Sequence, residues 1–142
     1  MSDDFSISTD PARLEIDLVH GYLTQSYWAK GIGRDLVARS IEHSLCFGGY
    51  LAQRQVAFAR VISDYATFGY LGDVFVLPEH QGQGYGQRLM EAVFEHSQLQ
   101  GLRRFMLATA SAHSLYRRFG FTELADPSLL MERCPPRIYE QE

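Results

Sequence analysis

A mixed α/β domain spanning residues 1–142 is predicted, and three observations predict it. Some segments repeat apolar residues at helical spacing, while others alternate or run continuously as strands do. Their order is strand, two helices, three strands, helix, strand, helix and two short strands, which defines one mixed layer architecture. The chain has 142 residues, 46% of them apolar, enough for one core and too apolar for a disordered segment.

The elements follow in order. Phe5 to Ser8 alternates apolar and polar residues, as a first strand would. Between Ile16 and Tyr27, Leu18, Val19, Tyr22 and Leu23 fall on one helical face. Gly31-Ile32-Gly33 interrupts, and Leu36, Val37, Ser40 and Ile41 give a second helix. Leu45 to Tyr50 reads as a strand and Leu51 to Arg54 as a hairpin turn. Gln55 to Asp64 and Thr67 to Leu77 are further strands, rich in Val, Phe, Ile and Tyr. Pro78 ends the last of them because it has no N–H for the ladder. Leu89, Met90, Val93 and Phe94 mark a helix running to about Leu99, closed by Gly101. Arg104 to Thr109 is then a strand and Ala112 to Phe119 a helix, with Phe121 to Leu124 and Leu129 to Glu132 as closing strands.

Composition narrows the function. A net charge of −4 with no lysine-rich tract argues against nucleic-acid binding, which needs several cations facing phosphates. It is weakly compatible with a cationic substrate. No apolar run approaches the roughly 18 residues of a membrane span, and the acidic Met1-Ser2-Asp3-Asp4 start shows no signal peptide. A soluble, cytoplasmic protein is expected. Cys46 and Cys134 form no metal-ligand pattern and read as ordinary thiols, with no metal expected and a disulfide between them left open. Cys46 lies in an apolar strand, where a buried and inert thiol is expected.

The stretch that carries chemistry is Asp73-Val74-Phe75-Val76-Leu77-Pro78-Glu79-His80-Gln81-Gly82-Gln83-Gly84-Tyr85-Gly86. A strand stops at proline, a glycine-rich turn follows, and a helix begins. Glycines at alternate positions let the backbone adopt unusual dihedrals and approach a ligand closely. The free N–H groups and dipole of the helix start favour an anion, and a pyrophosphate meets that demand. A Walker-type loop would need Gly-Lys-Ser/Thr, which is absent after Gly86. A dinucleotide fingerprint needs a third glycine where Gln87 stands, in a βαβ unit near the N-terminus. A glycine-rich connection with no ligand is the plain alternative.

Gln81-x-x-Gly84-x-Gly86 after a Val-x-Pro strand end resembles the pyrophosphate loop of the GNAT family of N-acetyltransferases. A second segment, Thr109-x-x-Ala112-x-x-Leu115-Tyr116…Gly120-Phe121, resembles that family's Asn-x-x-Ala-x-x-Leu-Tyr…Gly-Phe segment. The order of elements agrees, so the resemblance covers nearly the whole chain. It implies a GNAT-like fold, with a mixed central sheet of about six to seven strands flanked by about four helices. It further implies transfer of an acetyl group from acetyl-CoA to a primary amine, small or peptidic, by direct attack in a ternary complex. Relatives are often dimers, so the resemblance allows a homodimer.

Position by position, the resemblance places the pantetheine arm on the backbone of Phe75, Val76 and Leu77. It places the pyrophosphate on the N–H groups of Gln81, Gly82, Gln83, Gly84, Tyr85 and Gly86, with Gln87 at the helix start. Thr109 stands where many relatives have a coenzyme-contacting asparagine. Tyr116 matches the tyrosine near the coenzyme sulfur, where a phenol can protonate the departing thiolate; packing between Leu115 and Phe119 is its plain role. Gly72 occupies the place of a glutamate in some polyamine-acetylating relatives. Asp73 is the remaining candidate base, or else a hydrogen-bonded structural carboxylate. Tyr27 and Trp28 form an aromatic wall for an amine, or plug the core. Asp64, Tyr65, His113 and Ser114 are further polar groups expected near the cleft. A non-catalytic acyl-CoA-binding module, keeping the cradle without an effective base, is the alternative function.

Overall fold

The computed structural model describes residues 4–140. Five strands form one sheet in the order β1 (Ser6–Ser8), β2 (Leu45–Leu51), β3 (Arg54–Ser63), β4 (Phe68–Val76) and β5 (Arg104–Leu107). The first four pair antiparallel and β5 joins β4 in parallel. A parallel neighbour requires a crossover, and α3 (Tyr85–Glu95) supplies it. Helices α1 (Ile16–Leu23), α2 (Arg34–Glu42) and α4 (His113–Arg117) complete the layers.

The continuous apolar runs of β2 and β3 follow from burial on both faces. On one face Val19, Leu23, Val37 and Ile41 of the first two helices pack on Cys46, Phe58 and Phe75. On the other, Leu89, Met90 and Val93 of α3 pack on Phe47, Ala57, Ala59, Val61 and Leu71. Successive residues such as Cys46 and Phe47 thus feed opposite cores, as the period of two demands. The start of α1 is tied to β3 by a reciprocal polar clasp. The Glu15 N–H donates to Gln55 Oε1 at 2.7 Å, and the Gln55 N–H returns to Glu15 Oε2 at 2.8 Å. Arg54 grips the same carboxylate through two nitrogens and holds it below the usual carboxylate range.

Two of the sequence expectations change. The sheet has five strands rather than six or seven, because Phe121–Leu124 and Leu129–Glu132 form no strand. Phe121 instead packs its ring among Phe94, Phe105 and Tyr116, and residues 127–129 form a single 3-10 turn. The helix after the glycine turn stops at Glu95, with a separate 3-10 turn over Ser97–Leu99 before Gly101 at φ 74°. Among the described residues no helix is long and apolar enough to cross a membrane.

Both cysteines are free, Cys46 buried and Cys134 exposed. Burial pushes the Cys46 thiol up to about 12. Its neutral form is favoured by folding, so this stabilisation holds below the ordinary thiol range and fades as pH rises from about 9 toward 12. A thiol-disulfide dye at neutral pH is expected to label Cys134 in the native chain and both thiols in denaturant. Rapid native labelling of Cys46 would contradict its buried placement.

Candidate active site at a split between two strands

β4 and β5 pair only from Phe68–Leu71 against Arg104–Leu107. Beyond Leu71 and Leu107 the strands part, and Gly72, Asp73, Val74, Ala108 and Thr109 all line the cavity that opens there. A β-bulge marks the same point. Phe58 pairs with Phe75 and Arg60 with Gly72, so Asp73 and Val74 together stand opposite Ala59. Asp73 takes φ 55°, in the left-handed region that a bulge residue can occupy. Toward the strand end the Leu77 N–H bonds the Val56 carbonyl at 2.9 Å. Alternation along the strand then commits the backbone groups of Phe75 and Leu77 to β3 and turns those of Val74 and Val76 toward the split. Of the three strand residues singled out from sequence, Val76 is the one whose amide faces the opening, and Val74 joins it. The Phe75 side chain is core, stacked on Tyr22 with centroids 4.0 Å apart.

The strand edge leads to the glycine turn. Gly82 and Gly84 take φ 81° and 84°, conformations that L side chains rarely adopt, and Gly84 caps α3. A Cβ built at Gly82, Gly84 or Gly86 would meet no atom within 4 Å. The turn is therefore an open cradle with its glycines exposed to space, facing the N-terminus of an 11-residue helix. The Gln81 side chain donates to the Val76 carbonyl at 2.9 Å, clamping the turn to the strand end. Tyr85 sends its ring into the core, stacked on Phe5 at 4.1 Å, and leaves only backbone to the turn. Gln87 accepts from Arg118 at 2.9 Å, which brings a guanidinium beside the first turn of α3. Arg118 was passed over in the sequence because the contact joins positions 31 residues apart.

The cavity at the split has a volume of about 670 Å³. Tyr116 of α4 lines it, only 7% exposed, and burial raises its phenol above the ordinary tyrosine range. Thr109 also lines it, but its hydroxyl accepts from the Ala112 N–H at 3.0 Å and so holds the start of α4. Trp28 lies on the cavity wall, and its indole Nε1 donates to Asp73 Oδ1 at 2.8 Å. Tyr27 meets Trp28 edge to face, yet stays 74% exposed at the rim. The second Asp73 oxygen accepts from Arg60 Nε at 2.8 Å, with both side chains largely buried. Both oxygens of the carboxylate are therefore engaged.

The structure brings Tyr27, Trp28, Asp73, Thr109 and Tyr116 to one cavity. It separates Asp64 and Tyr65, which belong to the β3–β4 turn. There Asp64 accepts from the N–H groups of Ala66, Thr67 and Phe68, bonds that hold its carboxyl well below the usual range. His113 lines a smaller hollow beside β5. Sequence reasoning missed Arg39, His43, Arg60 and Tyr139 on the main cavity. Tyr139 arrives because the C-terminal stretch returns over Gly31, where a Cβ would lie 2.6 Å from the Tyr139 carbonyl oxygen. No local pattern announces such a contact.

A glycine cradle at a helix start, beside a parted sheet edge, suits a ligand with a long arm and an anionic end. Comparison with known proteins agrees. Residues 42–123 match the family model described as acetyltransferase (GNAT) domain. A candidate acetyltransferase of Gibberella zeae is 35% identical over 136 aligned residues, taking in 80% of this chain and 76% of that protein. The crystal structure of a candidate GNAT acetyltransferase from Xanthomonas campestris pv. campestris superposes with a TM-score of 0.95 at 60% identity. It covers 96% of this chain and 97% of that one. A GNAT acetyltransferase from Elizabethkingia anophelis, solved with acetyl-CoA bound, shares the fold at a TM-score of 0.65 and 15% identity. That match covers 85% of this chain and 78% of that one. The chain belongs to the GNAT acetyltransferase family. Its family match begins at Glu42, the last residue of α2, so most of α2 and the segment before it, which line one wall of the cavity, lie ahead of the match.

Proposed function

We propose that this chain transfers an acetyl group from acetyl-CoA to an amine by direct attack in a ternary complex. The observation that carries the reading is the continuity of three features: open glycine cradle, unpaired β4 edge, and a cavity holding Tyr116. The acyl donor supplies the activated acetyl group, and the residues hold, orient and protonate. The amides of Gln81 to Gly86 take the diphosphate at the positive end of α3. Val76 and Val74 bind the arm as a further strand would, and the Val74 N–H beside the bulge faces the thioester carbonyl oxygen. The acceptor nitrogen bonds to the carbonyl carbon while the C–S bond breaks. Tyr116 donates its proton to the leaving sulfur and regains one from solvent. The proton shed by the amine goes to Asp73 or to water.

Asp73 also fixes Trp28 and Arg60, so its removal touches both the wall and the proton path. Asp73→Asn is expected to lower turnover by about tenfold or more while leaving acetyl-CoA affinity nearly intact. Steady-state coenzyme A release together with calorimetric titration checks this; full turnover in the variant would remove Asp73 from the mechanism.

The reading itself is tested by coenzyme A release across a panel of amines, beside direct acetyl-CoA binding. Amine-dependent release is expected. Tight binding with no release for any amine would favour the non-catalytic module, for which the engaged oxygens of Asp73 and the glycine at position 72 speak.

A further inference from the structure

We propose that the acceptor carries an anionic group, a carboxylate or a phosphate, held by Arg39 and Arg60. The inference rests on the acetyl-transfer reading for the amine end and adds what recognises the other end. Two guanidinium groups, Arg39 and Arg60, line the cavity against one carboxylate, Asp73, in a chain whose own net charge is −4. The sign of the site is thus opposite to that of the whole molecule.

The one carboxylate is not free to hold a cation. Trp28 and Arg60 occupy its two oxygens. Arg60 spends Nε on Asp73 and one terminal nitrogen on Ser44 Oγ at 3.0 Å, which leaves its other terminal nitrogen without a bond among the described residues. The Arg39 side chain makes no hydrogen bond or ion pair among the described residues. His43 follows Arg39 by four positions, at the C-cap of the same helix, so both rise on the side that faces the cavity. An exposed arginine on a helix is ordinarily a solvated charge. Here a second guanidinium, only 18% exposed and rooted in the sheet, points to a built feature of the cavity.

A guanidinium presents paired donors that match carboxylate and phosphate oxygens. A polycation would meet the opposite situation: a positive wall and no unpaired carboxylate.

The test uses the coenzyme A-loaded chain, calorimetry, and pairs of ligands that differ only in the anion. One arm compares 4-aminobutyrate with 4-aminobutyramide; the other compares phosphoethanolamine with ethanolamine. In at least one arm the anionic member is expected to bind about tenfold or more tighter, with a preference that shrinks as salt rises. Whichever arm shows it identifies the anion. Arg39→Gln, at an exposed helix position, is expected to bring that ratio to within about threefold of unity, and Arg60→Lys, which keeps a charge but loses the paired donors that also reach Asp73 and Ser44, to lower it by about threefold or more. Equal or tighter binding of the neutral members, binding by no member of either pair, or a ratio untouched by Arg39→Gln overturns the proposal. Lost selectivity with amine acetylation intact would sink this inference alone. Intact selectivity without acetylation would support it and sink the enzymatic reading instead.

Discussion

A Gly84→Val chain is expected to lose acetyl-CoA binding by more than about 100-fold, equivalent to about 2.7 kcal/mol. Two effects add. Gly84 sits at φ 84°, where a β-branched residue is strained, at a cost of order 1–3 kcal/mol. The new side chain also projects into the open space of the cradle, where a Cβ meets no protein atom. Because that space holds no core, the fold should survive with a melting temperature lower by a few degrees. Gly84→Ala separates the contributions: it shares the backbone strain but fills little of the space, so a smaller loss of affinity is expected. Calorimetry of both variants checks the order. Undiminished binding by the valine variant would contradict the cradle.

Tyr116→Phe is expected to cut turnover by about 100-fold, within the range of a lost general acid, with acetyl-CoA affinity nearly unchanged. The sign of the pH dependence follows from burial. Burial raises the phenol above its ordinary value, so the donating form persists across neutral pH and up to at least about pH 10. No alkaline loss of turnover below that point should therefore trace to this group. Folding also favours the neutral phenol, so its contribution to stability is full below about pH 10 and declines as pH rises further. A pH–rate profile with coenzyme A release as readout tests both statements. A phenylalanine variant with full turnover would remove the proposed proton donor.

Much of the fold was legible in the sequence because burial writes periodicity. The α1, α2 and α3 faces, the β2–β4 strands and the glycine turn all follow from apolar spacing, proline and glycine placement. The closing strands were misread for the reason that strands differ from helices: they need a neighbour. Phe121 is apolar because it fills an aromatic cluster with Phe94 and Phe105, not because a ladder waits for it. The candidate site was half legible. Local motifs carried the turn, Thr109 and Tyr116, whereas the cavity's basic wall depends on long-range packing. Arg39 reads in sequence as an ordinary last-turn arginine of α2, and Arg60 as an outward strand residue. The left-handed bulge at Asp73, which sets that carboxylate between Trp28 and Arg60, has no sequence mark at all, since the left-handed conformation commonly belongs to glycine.

A crystal of the chain grown with acetyl-CoA tests the central claim most directly. The diphosphate oxygens are predicted to lie about 2.7–3.2 Å from backbone nitrogens between Gln81 and Gly86, with the acetyl group beside Val74 where β4 leaves β5. A donor seated away from the glycine turn, or side chains filling the gap between the strands, would contradict it.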